Sequence, residues 1–234
     1  MVMYDRSRPT DPEIVGRWDD GVGWIAHPDE TGRRASHLLV GSDGVWLVDP
    51  LDIPGLDELV ADYGQLTGVV ICSNYHARDA DAIASRHDVP IYVPTWLTRL
   101  DGHFSSTVER CESTPGSSGV ELLRYSPLPG YDEAIAYRPR DGTLYVPDAL
   151  GTAPFYTVDG ERLACYGVIR LVPPRSFFEQ FDPDRILVGH GEGVFTDAEA
   201  ALDDALAGAR RRLPAALRAH GSTQLRGLLA ALGG

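Results

Sequence analysis

A buried apolar run that ends in a polar corner, then a short amphipathic stretch, then a second apolar run, leaves a chain few ways to fold. Residues Leu66 to Pro94 have that order. They read Gly68-Val69-Val70-Ile71-Cys72, the corner Ser73-Asn74-Tyr75-His76-Ala77-Arg78-Asp79, Ala80 to His87, and Val89-Pro90-Ile91-Tyr92-Val93. The pattern predicts strand, corner, helix and strand, a βαβ unit whose strands are covered on both faces. Open α/β sheets collect ligands at the carboxyl ends of their strands. Here that end offers an amide, an imidazole, a guanidinium and a carboxylate within six residues.

The rest of the chain supplies the other layers. Ile14–Trp18, Val22–Ala26, Ser36–Val40 and Val45–Asp49 read as a β-meander, with Asp-Gly turns at Asp20-Gly21 and Asp43-Gly44. Pro54 followed by Leu56, Leu59, Val60 and Tyr63 predicts an amphipathic helix. Residues 101–119, rich in Ser, Thr, Gly and Pro, read as a long connection. Val120–Tyr125 is strand-like, and Ala134–Tyr137 and Thr143–Asp148 flank a second turn at Arg140-Asp141-Gly142. Arg185–Gly191 is a short strand ending in a polar corner. Thr196 and Glu199 form a capping-box pattern opening a helix toward Arg212, which Pro214 is expected to kink or restart before a last helix over Leu225–Leu232.

Length and charge bound the function. The 234 residues suffice for one domain spanning 1–234. The net charge is −13, and all 21 basic residues are arginine. Such a surface repels nucleic-acid phosphates and anionic lipids, which leaves a small-molecule substrate or ligand as the expected partner. No apolar run is long enough to span a bilayer and no signal-peptide pattern opens the chain, so a cytoplasmic location is expected. The acidity suits a high-salt cytosol, or an Arg- and Asp-rich codon bias. Three widely spaced cysteines point to neither a disulfide framework nor a zinc knuckle.

Three apolar strands end in groups that bind metals or move protons: Val69–Cys72 before Asn74, His76 and Asp79; Leu144–Val146 before Asp148; Ile186–Val188 before His190. In this order of elements the chain resembles the metallo-β-lactamase superfamily over about residues 20 to 200. The family corner His-x-His-x-Asp-His falls on Asn74-Tyr75-His76-Ala77-Arg78-Asp79. The histidine after Pro-Gly falls on Tyr131 in Pro129-Gly130-Tyr131, the bridging aspartate on Asp148, and the last histidine on His190 in Gly189-His190-Gly191. The resemblance implies a four-layer αββα sandwich and hydrolysis by metal-activated water.

Measured against that pattern, only His76, Asp148 and His190 carry the usual ligand. Asn74 replaces a histidine, as in one mono-zinc subgroup, and Asp79 replaces another with a competent ligand. Arg78 puts a permanent cation where the family has an anion, and Tyr131 is a poor ligand at neutral pH. Two readings stay open. In one, a single divalent metal, zinc first, sits on Asp79, Asp148 and His190 with help from His76 or Asn74. Arg78 then turns to substrate, and the protein hydrolyses an ester, thioester or phosphodiester. In the other, Arg78 pairs with Asp148 or Asp79 in place of the ion, no metal binds, and the protein is inactive or works by non-canonical chemistry. The second is slightly favoured, with Asp79, Arg78 and Tyr131 as the catalytic candidates. His103 is a weak replacement ligand, His87 a helix-end cation, Asp49 a hydrogen-bond acceptor beneath the site, and Cys72 a packing residue.

Overall fold

The computed structural model describes residues 2–128 and 130–232. Seven strands form the first sheet in sequence order: β1 (Glu13–Trp18), β2 (Gly21–Ile25), β3 (Ala35–Val40), β4 (Val45–Val48), β5 (Leu66–Val70), β6 (Ile91–Pro94) and β7 (Val108–Cys111). The meander β1 to β4 is antiparallel. From β4 onward the pairing is parallel, because helix α1 (Leu56–Ala61) and helix α2 (Ala80–His87) carry the chain back between strands. The segment read as a long connection contains β7, which pairs parallel to β6. Its side chains Val108, Glu109 and Arg110 are exposed. An edge strand is held by backbone bonds with little apolar pattern, so the sequence gives it no signal.

β8 (Glu121–Leu128), β9 (Tyr131–Arg138), β10 (Thr143–Val146), the small pair β11 (Leu150–Gly151) and β12 (Ala164–Cys165), and β13 (Arg185–Val188) complete the strands. The second sheet runs β13-β10-β9-β8. Helices α3 (Arg175–Phe178) and α4 (Ala198–Leu232) follow in the second half. Pro214 neither ends nor restarts α4: proline's fixed φ is compatible with a helix, and what is forfeited is its own N–H bond. The capping box does not form as expected. Asp197, in the left-handed region at φ 47°, precedes the helix, and Thr196 Oγ1 accepts from Arg162 at 3.2 Å. Pro129 lies outside the described residues.

Strand alternation explains the layers. In β4, Val45 and Leu47 face α1 and α2, while Trp46 and Val48 face the other sheet. In β10 and β13, Leu144, Val146, Ile186 and Val188 face α3 and α4, while Tyr145 and Leu187 face inward. The result is the αββα sandwich. No helix among the described residues is long and apolar enough to cross a membrane.

His37 sits fully buried between the sheets, with Nε2 2.9 Å from the Val188 carbonyl and Nδ1 unpartnered. A carbonyl only accepts, so Nε2 carries the proton. Burial pushes the imidazole pKa down to about 4, against an unfolded value near 6.5. Between those two values the unfolded chain binds the extra proton and the folded chain does not. Stability is therefore expected to be full above pH ~6.5 and to fall by roughly 3 kcal/mol as pH drops toward ~4. Urea unfolding across that range should show the slope, and His37→Gln should flatten it; equal slopes would refute the assignment.

Candidate metal centre

The site is assembled where strand ends from both sheets meet. β10 and β13 are parallel with Val146 opposite Val188, so Asp148 and His190 each lie two residues past the register pair. The two halves are stitched there by the Ala35 N–H donating to the Gly189 carbonyl at 2.9 Å. Gly189 has to be glycine: a Cβ would collide with the Pro147 carbonyl and the His76 ring. On the first sheet, β4 and β5 end side by side. Asp49 receives the Cys72 N–H on Oδ1 at 2.8 Å and the Tyr145 hydroxyl on Oδ2 at 2.5 Å.

These contacts fix the imidazoles. His76 Nδ1 lies 2.8 Å from Asp49 Oδ2 and His190 Nδ1 lies 2.7 Å from the Gly32 carbonyl. Both partners are acceptors, so each ring carries a proton on Nδ1; each Nε2 faces a further acceptor, an arrangement that needs a cation, a proton or a metal ion, between ring and carboxylate. The two Nε2 atoms lie 3.3 and 3.2 Å from the same oxygen, Asp148 Oδ1. The three candidate ligand atoms all fall within 4.8 Å of one another. Three electron-pair donors facing one point, with their outer hydrogen bonds already made, suit one divalent cation with an open position. Asp148 Oδ2 is held by the Ser73 hydroxyl at 2.7 Å.

The electrostatics draw a cation, a proton or a metal ion, to this point. Burial opposes the Asp148 charge, but His76 and His190 outweigh it and hold the carboxyl well below its usual range. Burial and Arg78 push His76 toward neutrality, and Asp148 and Asp49 reverse this, so its pKa is raised. Glu133 moves the other way: burial and then the Asp148 charge push it well above the carboxylate range. It lies under the site as an acceptor for the Asp148 N–H at 2.7 Å and the Ala149 N–H at 3.2 Å. Sequence reasoning missed Glu133; an acid directly before the apolar run Ala134-Ile135-Ala136 was its one signal.

Of the residues named from the sequence, the structure brings together His76, Asp148 and His190. Asp79 does not join them, because its Oδ2 accepts the Asp52 N–H at 2.8 Å where the chain enters α2. Arg78 follows neither reading. Its Nη1 donates to the Ala35 and Asp49 carbonyls at 2.5 and 2.6 Å and its Nη2 to the Gly189 carbonyl at 3.2 Å, with His76 Nε2 3.5 Å from Nη2. No carboxylate among the described residues lies within 4.0 Å of its guanidinium nitrogens. Tyr131 lines the cavity with its hydroxyl buried and unpartnered, and burial pushes the phenol pKa well up. Asn74 accepts the Arg99 N–H at 3.2 Å. His103 is exposed on the cavity wall, and His87 pairs with Asp57 at 2.9 Å.

The cluster opens into a cavity of about 480 Å³ walled by Tyr4, Tyr75, Phe155 and Tyr156 as well as the polar groups above. Two sheets back to back, helices outside and polar groups at the strand ends recur in solved structures. A metallo-β-lactamase from Pontibacter korlensis matches with TM-score 0.60 at 12% identity, over 86% of this chain and 99% of that one. The fold is that of the metallo-β-lactamases. The FIM-1 metallo-β-lactamase of Pseudomonas aeruginosa, in its mono-zinc form, matches with TM-score 0.59 at 11% identity over 89% and 99% of the two chains. A fragment of a protein described as a diflavin flavoprotein, from Nostoc, matches with TM-score 0.58 at 14% identity over 88% and 98%. No protein-family model matches this chain, and no curated protein matches it. The metallo-β-lactamase fold thus accounts for the layers, and the donor set has to be argued from this chain's own residues.

Proposed function

We propose that this chain is a divergent metallo-β-lactamase-fold hydrolase in which a two-ion site is reduced to one, held by His76, Asp148 and His190. The observation that carries the reading is the convergence of both Nε2 atoms on Asp148 Oδ1, with both Nδ1 positions held by Asp49 and Gly32. A divalent ion there would supply Lewis acidity and a bound water of lowered pKa. The chain's own residues do the rest. Asp49 and Ser73 orient His76 and Asp148, and Arg78 holds a fixed positive charge 3.5 Å from His76 Nε2 that disfavours a second cation. Tyr131 offers a buried O–H donor to a substrate oxygen. The acidic surface and the cavity size suit a small-molecule ester, thioester, amide or phosphodiester.

The Arg78 charge, 3.5 Å from His76 Nε2, favours a second reading, in which it opposes any ion at the cluster and the scaffold binds without hydrolysing. Turnover of generic thioesters and phosphodiesters separates the two. The hydrolase reading expects activity that a chelator removes and added zinc restores. Activity indifferent to chelator would sink it, and so would none with any substrate at full metal loading.

A further inference from the structure

One wall of the cavity comes from a segment with no periodic pattern. Residues 2–9 form neither strand nor helix, yet Tyr4, Asp5, Arg6, Ser7 and Pro9 border the cavity. The loop before β3 holds this segment in place. The Thr31 and Gly32 N–H groups donate to the Val2 and Met3 carbonyls at 3.0 and 2.9 Å. Glu30, its side chain fully buried, pairs with Arg34 at 2.8 Å and accepts the Asp5 N–H on Oε2 at 2.7 Å, while Arg34 Nη2 donates to the Asp5 carbonyl at 2.5 Å. The ion pair thus takes up both polar groups of the Asp5 backbone, and those bonds help offset its own desolvation. Gly32 lets the segment lie close, because a Cβ there would meet the Tyr4 ring and the Met3 carbonyl.

Tyr4 is thereby set beside the three-residue cluster. Its ring lies 6.2 Å from the His190 ring, and Phe155 and Tyr156 lie 5.8 and 6.0 Å from the same imidazole. Burial and then the Asp148 charge push the Tyr4 phenol pKa up. Phe155 and Tyr156 are fixed against each other at 4.7 Å, and the Tyr156 hydroxyl donates to the Asp148 carbonyl at 2.9 Å. Rings held in place at a cavity wall favour a flat aromatic guest over a puckered one of similar size, because only the flat ring gains edge-to-face and offset contacts.

We propose that residues 2–9 are a strap forming one wall of the substrate pocket, latched by Glu30 and Arg34, and that Tyr4 on it selects a substrate with an aromatic ring beside its reactive group. This rests on the cavity being the substrate pocket of the proposed hydrolase, and it concerns binding alone. A chemical-shift titration of the full chain, stripped of metal by chelator, with benzamide and with cyclohexanecarboxamide tests it. Both probes are uncharged amides of six-membered rings, and one ring is flat. Benzamide is expected to bind at least about threefold more tightly. Tyr4→Phe should keep that margin and Tyr4→Leu should lose it, both with an unchanged unfolding temperature. Glu30→Gln/Arg34→Gln removes the two charges of the latch together. It should also lose the margin, and amide exchange at Thr31 and Gly32 should quicken as the strap leaves them. Equal affinities, no binding of either probe, a margin that survives Tyr4→Leu or the double variant, or amides still protected in the double variant would overturn the proposal. If the double variant does not fold, the two Tyr4 variants decide. Neither metal nor turnover enters the titration. A benzamide preference in a chain that takes up no metal therefore supports the strap and ends the single-ion reading, and full metal loading with equal affinities does the reverse.

Discussion

Purified without chelator, the protein is expected to carry about one equivalent of a divalent transition metal, and Asp148→Ala less than about a tenth. Asp148 is the one anion in the donor set, and both imidazoles point at its Oδ1. Without it, two neutral rings face a cation with the Arg78 charge 3.5 Å from one of them. An affinity loss greater than about 100-fold follows, beyond what outer partners of metal ligands cost. Asp49→Asn should give the milder result, about 10- to 100-fold, because it weakens the acceptor that holds the His76 tautomer without removing a ligand. Asp79→Ala should leave the stoichiometry unchanged, since that carboxylate is turned to the Asp52 N–H. Elemental analysis of the four proteins decides the matter. Wild-type protein with less than a tenth of an equivalent would remove the metal centre, and loss of metal from the Asp79 variant would restore the ligand set expected from the sequence.

Arg78→Met is expected to be the most destabilising single change at the site, at about 3–5 kcal/mol. The guanidinium joins three carbonyls, Ala35 at the start of β3, Asp49 after β4 and Gly189 after β13, and so ties the first sheet to the second. The Gly189 and Asp49 carbonyls keep a second donor, the Ala35 N–H and the Ser36 hydroxyl, so the loss is that of the charge-assisted bonds, about 1.5–3 kcal/mol each and not additive. Arg78 itself sits at φ 44°, a conformation costing an L-residue roughly 1–2 kcal/mol, which the three bonds offset. Arg78→Lys should recover part of the loss, because an ammonium lacks the planar fork that reaches carbonyls on two sides. Urea midpoints with unchanged m-values would measure this. A loss below about 1 kcal/mol for Arg78→Met would mean that the guanidinium is not what holds the two sheets' ends.

Much of this molecule follows from the order of its residues. Unbroken apolar runs mark β4, β5, β10 and β13, the 3,4 spacing marks α1, and a polar corner after the last runs places His76, Asp148 and His190 at strand ends. Asp49 as an acceptor beneath the site was legible as well, on family resemblance. The edge strand β7 and the unbroken α4 were not: backbone pairing made the first and packing of Ala205, Ala209 and Ala216 supports the second, and neither leaves a periodic signature that overrides Gly, Ser or Pro. Arg78 is the sharpest case. As a sequence position it has two natural partners, Asp79 beside it and Asp148 by resemblance, and it takes neither. Its carbonyl partners stand 43, 29 and 111 residues away along the chain. Local pattern decides which way a side chain points from its own strand. Which strand ends become neighbours is settled by long-range register, such as Val146 against Val188 and Ala35 against Gly189, and only that register brings two imidazoles to one carboxylate and seats the Arg78 cation beside them.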